Sequence, residues 1–280
     1  MGQLVIIVWM FVFLLPWLEV FAQGISPKTG RVGCPNCDND GSPVSRSLQK
    51  ADELYAAFKP KEALAEFLKV LDLDPQNAEA LSKIARVYID FGDVIPESTP
   101  DWEAKRLKQY QIAEQYARKA VKADPNVVWG HFYIAASLGS MTTVSPVAKQ
   151  IDMAGEIRVA IEKAIALDPQ NGFAYHVYGV WHRKMAEIGK MSRMFASVIY
   201  RRSIPTGTME KSIEYLNKAV ALNPTVIVSR LELARTYVAV ENWPSARSFL
   251  ASIGGLPIQF SDDAKHKKKA DQLLEEIRER

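Results

Sequence analysis

A short phrase that ends in proline recurs four times along the chain, and it constrains the fold more than any other feature of the sequence. It reads LDLDPQN at residues 71–77, VKADPN at 121–126, IALDPQN at 165–171 and VALNP at 220–224. Before each proline the apolar residues have the spacing of an amphipathic helix, and helices commonly stop at proline. Such a recurrence indicates a chain that stacks one structural unit several times.

The sequence around the four prolines agrees at a further position, where a small residue usually follows a larger one. These small residues are Ala85, Ala135, Gly179 and Ala234. A small side chain lets two paired helices approach closely, and the pattern is that of the tetratricopeptide repeat, a helix-turn-helix unit of about 34 residues. The sequence therefore predicts an all-α, TPR-like helical-repeat solenoid in which each hairpin buries its apolar stripe on its neighbours. About five units start near Pro43, Ala78, Val128, Gly172 and Ile227.

The three middle units are longer than the standard repeat, because the four prolines lie 44 to 55 residues apart. Two of the extensions predict elongated second helices. In the first, Ser98 or Thr99 is placed to cap a helix with Pro100 at its first position. In the second, Ser145 and Pro146 repeat this arrangement.

The third extension predicts an extra helix over residues 190–202, inserted within one hairpin and stopped by Pro205 and Gly207. Its apolar stripe, with Ile188 just before it, comprises Ile188, Met191, Met194, Phe195, Val198 and Ile199. Its basic residues lie largely off that stripe and comprise Lys190, Arg193, Arg201 and Arg202. The helix could cover the solenoid's own groove, a protein partner or a lipid surface. Packing as core is favoured, since Met and Phe stripes at helical spacing are usually buried.

The N-terminal residues 1–22 are predicted to be a signal peptide. An apolar run from Leu4 to Leu18 is followed by Val20 and Ala22, in the small-residue pattern of a cleavage site. The run is shorter than the roughly 20 residues of a spanning helix. We therefore expect an exported protein, periplasmic or secreted, with membrane tethering by an uncleaved segment as the alternative.

Residues 23–46 are rich in Gly, Pro, Ser and Asn and are predicted to form a flexible linker. They contain the only two cysteines of the chain, Cys34 and Cys37. No His follows Cys37 as a covalent haem site requires, and no further zinc ligands lie nearby. A small disulfide loop or an incidental pair is the favoured interpretation, with redox or metal chemistry as the alternative.

The repeat domain is predicted over residues 47–260, and residues 261–280 are predicted to form a C-terminal capping helix. The capping segment opens with acidic residues suited to a helix N-terminus. Its KHKKK run at residues 265–269 is expected to be the solvent-exposed side of that helix.

Charge and motifs narrow the class of function. The formal net charge is +3 and basic residues alternate with acidic ones, so the sequence lacks the basic face of a nucleic-acid-binding protein. It contains no Gly-rich phosphate loop, nucleophile elbow or HExxH motif. His176 and His182 are six residues apart, which is not a same-face helical spacing. We therefore expect no enzyme activity, no cofactor and no metal site.

Two hypotheses of function remain. The first is a scaffold that binds a protein or peptide in the concave groove formed by the first helices, and the second is a lipid or apolar-ligand binding protein gated by the inserted helix. The candidate binding residues, each of which could instead be a packing residue, are Tyr88, His131, Tyr175, His182, Arg193, Phe195, Arg230 and Tyr237.

From Ala113 to about Leu274 the chain resembles the regulator of microtubule dynamics family. The resemblance lies in AEQYARKAVKADP, in the stretch IEKAIALDPQNGFAYHVYGVWHRKMAEIGKMSRMFASVIY, and in SIPTGTMEKSIEYLNKAVALNP. The second stretch has the family's aromatic first helix, an Ala-Glu pair at Ala186 and Glu187, and an Arg-containing apolar helix. The resemblance implies a helical-repeat adaptor that works by binding, in a family whose members act around microtubules or at membranes. The predicted leader would make this chain an exported, bacterial-type relative.

Overall fold

The computed structural model describes residues 41–201, 203–260 and 262–280. The predicted signal peptide and the pair Cys34 and Cys37 lie outside these residues. Within them the chain forms twelve α-helices. None of these helices is both long enough and apolar enough to cross a membrane.

The helices form five hairpins, one inserted helix and a final helix, as the repeat pattern predicts. The first three hairpins pair α1 (Pro43–Ala56) with α2 (Pro60–Leu73), α3 (Ala78–Asp93) with α4 (Trp102–Ala123), and α5 (Val128–Thr142) with α6 (Val147–Leu167). In the fourth, α7 (Gly172–Glu187) pairs with α9 (Met209–Leu222), and α8 (Lys190–Tyr200) is inserted between them. The fifth pairs α10 (Ile227–Ala239) with α11 (Trp243–Ile253), and α12 (Asp263–Glu276) ends the array.

The recurring phrase forms the turn between one hairpin and the next. The carboxylate of Asp74 accepts a hydrogen bond from the backbone N–H two residues later at 3.2 Å, and those of Asp124 and Asp168 do the same at 2.9 Å. Asn77 and Asn171 then cap the helices that follow, since their side-chain oxygens accept from the first free N–H groups. The phrase therefore ends one helix and starts the next within a few residues.

The small residue that follows each turn lies where two helices approach most closely. At Gly179 in α7, an added Cβ would lie 2.6 Å from the Cγ of Leu216 in α9. The equivalent residues Ala85, Ala135 and Ala234 have no exposed surface. The prediction of close helix approach at this position is confirmed.

The first helices of the hairpins form the inner layer of the array. Successive first helices contact one another, α3 with α5, α5 with α7, and α7 with α10, whereas successive second helices make no comparable contact in the described part of the chain. In a curved two-layer array, the layer whose helices approach one another lies inside the curve. The largest apolar core runs between the layers from α3 to α7.

Three helix starts differ from the sequence-based expectation. α4 begins at Trp102 and not at Pro100, because Asp101 adopts a left-handed conformation with φ of 54° and separates the two. α6 begins at Val147, one residue after Pro146. α1 begins at Pro43, inside the predicted linker 23–46, because the Ser42 side chain accepts a hydrogen bond from the N–H of Ser45.

The final helix α12 lies within the segment for which the sequence predicts a capping helix, but its basic run is not wholly exposed. His266 is only 1% exposed, whereas Lys265 and Lys268 are exposed. The expectation that the whole KHKKK run faces solvent is therefore wrong at His266, since this side chain points back into the protein.

Gly179→Ala should lower the free energy of unfolding by about 1–3 kcal/mol, because the added methyl group would overpack against Leu216. Gly155→Ala, in the middle of α6, is the matched control. No atom lies within 4 Å of its added methyl group, so the substitution should raise stability by about 0.5–1 kcal/mol. Urea denaturation of the two variants measures both effects, and equal effects at the two positions would contradict the close approach.

Candidate functional site on the inner face

The surface formed where the first helices α1, α3, α5, α7 and α10 contact one another is here called the inner face. Repeat solenoids bind along such extended concave surfaces. On this face four charged or titratable side chains are almost fully buried, which is unusual because burial of a charge is costly without a partner. They are Arg86, His176, Arg183 and Glu232.

The N-terminal part of the inner face is built around two aspartates of α3. The hydroxyl of Tyr55 in α1 donates to Asp90, and the guanidinium of Arg86 lies 3.6 Å from the centre of the Tyr55 ring. The hydroxyl of Tyr110 in α4 donates to Asp93 at 2.6 Å. Burial raises the pKa of Asp90 to about 6 and that of Asp93 well above its ordinary value. Ionisation of these two carboxyls is therefore disfavoured in the fold.

The C-terminal part of the inner face is built around Glu232 of α10, which has no exposed surface. Arg183 of α7 donates to one of its oxygens, and Arg235 donates to the other at 2.5 Å. Arg183 also donates to Glu187 at 3.1 Å. Burial alone would raise the pKa of Glu232, but the two guanidinium groups lower it to about 2. This carboxylate therefore stays ionised and ties α7 to α10.

Two histidines lie beside this ion pair. His176 of α7 shares a hydrogen bond of 3.1 Å with the hydroxyl of Ser229 in α10. Burial lowers the pKa of His176 and that of His266 in α12 to about 4, so both are neutral at pH 7. Among the described residues, no three or more His, Cys, Asp and Glu side chains are placed together to hold a metal ion.

Three of the sequence-predicted binding residues instead contact the turn or the second helix of their own unit. His131 contacts the carbonyl of Pro125 at 2.9 Å, and Arg230 donates to the equivalent carbonyl of Pro224 at 2.8 Å. The hydroxyl of Tyr175 accepts a hydrogen bond from the Lys218 ammonium at 2.7 Å. All three lie six residues after a turn proline, so they share one structural position.

Three more lie between the two helices of a hairpin. The ring centre of Tyr88 is 5.8 Å from that of Tyr116 in α4, and the ring centre of Tyr237 is 5.7 Å from that of Phe249 in α11. His182 accepts a hydrogen bond at 3.3 Å from the backbone N–H of Thr208, just before α9. These are packing contacts, and two of the six residues share a neighbour: the ring centre of Tyr215 is 6.0 Å from that of Tyr175 and 5.3 Å from that of His182.

Arg193 and Phe195 lie in the inserted helix α8. The Arg193 guanidinium donates to four backbone carbonyls at both ends of the insert, including Ile188 at 3.0 Å and Pro205 at 2.9 Å, so it holds the two ends together. The side chain of Phe195 is outside the part of the chain that the structure describes.

The apolar stripe of α8 is not buried as core. Met194, Val198 and Ile199 are 53%, 72% and 53% exposed, whereas Ala196 is buried. The favoured prediction of core packing is therefore wrong for these three residues. The physical reason is that the backbone hydrogen bonds of Arg193 and the small face at Ala196 hold the helix in place, which leaves its large apolar side chains outside.

The buried inner-face charges were missed by the sequence analysis, although a signal was available. Arg86, Asp90 and Arg183 stand inside the otherwise apolar stretches of first helices, as does Glu232. A charged residue at such a position is rarely buried unless it is paired. Opposite charges at apolar positions of two successive first helices are the sequence signal for the pair Arg183 and Glu232.

Comparisons with known proteins agree with this architecture. A family model described as Regulator of microtubule dynamics protein 1-3 matches residues 47–278. Regulator of microtubule dynamics protein 1 of Mus musculus is 27% identical over 232 residues, which cover 82% of this chain and 74% of the mouse protein. Regulator of microtubule dynamics protein 3 of Xenopus laevis is 25% identical, covering 81% of this chain and 48% of the frog protein.

Two solved structures share the fold. TTC0263, a thermophilic TPR protein of Thermus thermophilus, matches with a TM-score of 0.58 at 16% identity, covering 82% of this chain and 98% of that one. PilW, a widely conserved type IV pilus biogenesis factor, matches with a TM-score of 0.52 at 17% identity, covering 83% and 92%. At these identities the likeness shows the fold alone.

Glu232→Ala should lower the free energy of unfolding by about 3–5 kcal/mol, because it leaves Arg183 buried without its main carboxylate partner. Glu156→Ala is the matched control. Glu156 pairs with Arg118 at 2.6 Å on the surface, where both side chains are about half exposed, so its removal should cost no more than about 1 kcal/mol. Chemical denaturation of the two variants tests this, and similar losses would show that the inner-face pair contributes no more than a surface pair.

Proposed function

Because the chain belongs to the regulator of microtubule dynamics family, we propose that it is a non-enzymatic helical-repeat adaptor that binds a protein or peptide partner on its inner face. The observation that most supports this function is the arrangement of charge at the C-terminal part of that face. Arg235 keeps 32% of its side chain exposed while it pairs with the fully buried Glu232. A partner can therefore reach a cation that is already fixed in direction, which lowers the entropic cost of binding.

The repeat architecture supports this proposal. The TPR-like fold and the family match both favour a scaffold over a catalyst, because each hairpin contributes one stripe to an extended surface instead of enclosing a small reactive pocket.

A second candidate function is binding of a lipid or another apolar ligand through α8. Its support is the exposed apolar side of that helix, formed by Met194, Val198 and Ile199, next to the exposed Arg201. An apolar helix side bordered by arginine is typical of helices that lie in a membrane interface.

We also propose, from the sequence of residues 1–22, that the protein is exported, with tethering by an uncleaved segment as the alternative. Cleavage after Ala22 predicts a mature chain that starts at Gln23. The intact mass of the protein isolated from its host distinguishes the two, since a tethered chain retains the whole leader.

A photo-crosslinking amino acid introduced in the full-length protein tests the two functions by position. Placed at Ala239, an exposed residue one helical turn beyond Arg235 that leaves the arginine intact, it should give discrete adducts with a protein partner in the native host. Placed at Val198 on α8, it should give lipid adducts only if the second function is correct. The control is Lys163, an exposed residue of α6 on a second helix, which should give neither.

The outcome is read by mass spectrometry of the adducts. Protein adducts from position 239 that are absent from position 163 support the adaptor. The adaptor proposal is wrong if position 239 gives no protein adduct, or if positions 239 and 163 give the same ones.

A further inference from the structure

The connection between α11 and α12 carries a buried aromatic residue. Phe260 is only 6% exposed and belongs to an apolar cluster with Val180 of α7 and Val228 and Leu233 of α10. The residues on its N-terminal side are not buried, and Ile258 is 61% exposed. Residues 257–260 and 262–266, here called the C-terminal plug, are therefore anchored on the array by a single large side chain in their irregular part.

The plug has a defined shape of its own. The carboxylate of Asp263, which is 1% exposed, accepts hydrogen bonds from the N–H groups of Gln259 at 2.7 Å and Phe260 at 2.9 Å. Just beyond the plug, the ammonium of Lys267 donates to the carbonyl of Leu256 at 2.6 Å. These bonds hold the aromatic residue in place before α12 begins.

The plug reaches residues that are far apart along the array. His266, at its end, is buried within the electrostatic field of Glu232 on α10. Asp262, at its centre, lies close enough to the α3 carboxyls that its charge acts on Asp93, and the charge of Asp90 acts on it. The segment therefore packs at the C-terminal part of the inner face, and the carboxyls of α3 act on it electrostatically.

We propose that the C-terminal plug occupies the inner face as an intramolecular ligand, and that the partner presents an aromatic residue followed by acidic residues, in the manner of Phe260 and Asp263. This inference rests on the proposed function, because the plug covers the surface to which the adaptor would bind its partner. The chemistry of the partner follows from what the surface already accepts. The ring lies in an apolar cluster with Val180, Leu216 and Val228, and the Asp263 carboxylate beside it accepts from the N–H groups of Gln259 and Phe260.

The charges around the C-terminal plug favour its dissociation from the array over the opening of a hairpin. Glu232 is neutralised by two arginines. The carboxyls of Asp263 and Asp90 act on Asp262, Lys265 opposes them, and His266, 3.6 Å away, is neutral at pH 7 because burial lowers its pKa to about 4. Burial raises the pKa of Asp262 to about 7, and the neighbouring Asp263 and Asp90 act in the same direction. A segment with one apolar anchor and an unfavourable carboxyl opens at lower cost than the hairpin cores.

Phe260→Ala in the full-length protein should release the plug while the hairpins stay folded. Hydrogen exchange of the amides at positions 259–263 should become at least about tenfold faster, because the anchor is lost. Ile258→Ala is the matched control in the same segment and should change these rates less than about twofold, since Ile258 is exposed. Unchanged exchange in Phe260→Ala would overturn the proposal, and so would equally accelerated exchange throughout α7 and α10, which would make Phe260 ordinary core.

Competition by a synthetic peptide tests occupancy directly. The probe is a fluorescent peptide with the sequence of residues 256–267, LPIQFSDDAKHK, and a version with alanine in place of its phenylalanine. The first peptide should bind the Phe260→Ala protein at least about tenfold more tightly than the wild type, whose site is filled. The alanine peptide should bind neither. Equal binding to both proteins would place the peptide elsewhere and overturn the inference. If the peptide competes as expected while the cross-linker at position 239 captures no protein, the inference about the plug holds and the adaptor function is wrong.

Asp262→Asn gives a second test that does not remove the anchor. Because the pKa of Asp262 is raised in the docked state, docking favours its protonated form, and the docked fraction falls as pH rises through about 7. The protection factor of the plug amides should therefore decrease between pH 6 and pH 8.5 in the wild type and change much less in Asp262→Asn. The same decrease in both proteins would show that Asp262 does not control the plug.

The other titratable groups near Asp262 do not reverse this sign. Those that face it or its neighbours are Asp90, Asp93, Arg106, Glu232, His176, Asp263, Lys265 and His266. The pKa values of Asp90 and Asp93 are also raised, so their ionisation acts in the same direction. The pKa of His266 is lowered to about 4, so this side chain is neutral throughout the measured range.

Discussion

The close approach of two helices at one small residue per repeat is the contact on which the rest of this structure depends. At Gly179 there is no room for even one methyl group in front of Leu216. This contact fixes how each first helix lies against its second helix, and a turn built on an aspartate and a proline fixes where the next hairpin starts. Repetition of these two local devices produces a curved array with the first helices inside.

Charged side chains become buried on the inner face, and they are stabilised differently at its N-terminal and C-terminal parts. Where first helices come together, a polar side chain loses its water, and a charge requires a partner of opposite sign. At the C-terminal end Glu232 is paired with Arg183 and Arg235. At the N-terminal end tyrosine hydroxyls donate to Asp90 and Asp93, and the pKa values of both stay raised because burial outweighs the effect of Arg86 and Arg106.

The hairpins, the inserted helix and the cap could be predicted because their signals are local in sequence. The inner face could not, because its contacts join distant residues: Arg183 and Glu232 are 49 positions apart. The packing partners of the candidate binding residues were not predictable either. Tyr88 and Tyr237 have the same spacing along their first helices, and their rings pack on Tyr116 and Phe249 of the second helices. The composition of α8 predicted a helix packed in the core. Instead, Arg193 donates hydrogen bonds to backbone carbonyls at both ends of the insert, and the apolar side of the helix is exposed.

The contrast between Glu232 and Asp262 separates the permanent part of the interior from the part that can be exchanged. Glu232 has no exposed surface, and it lies on a helix that packs on both neighbours and pairs with two arginines. Asp262 keeps 24% of its side chain exposed and belongs to a connection with one aromatic anchor. The carboxyls of Asp263 and Asp90 act against its ionisation, which the neutral His266 beside it does not offset. A partner with the same aromatic and acidic groups, and with further contacts of its own, would therefore displace this connection before any hairpin helix.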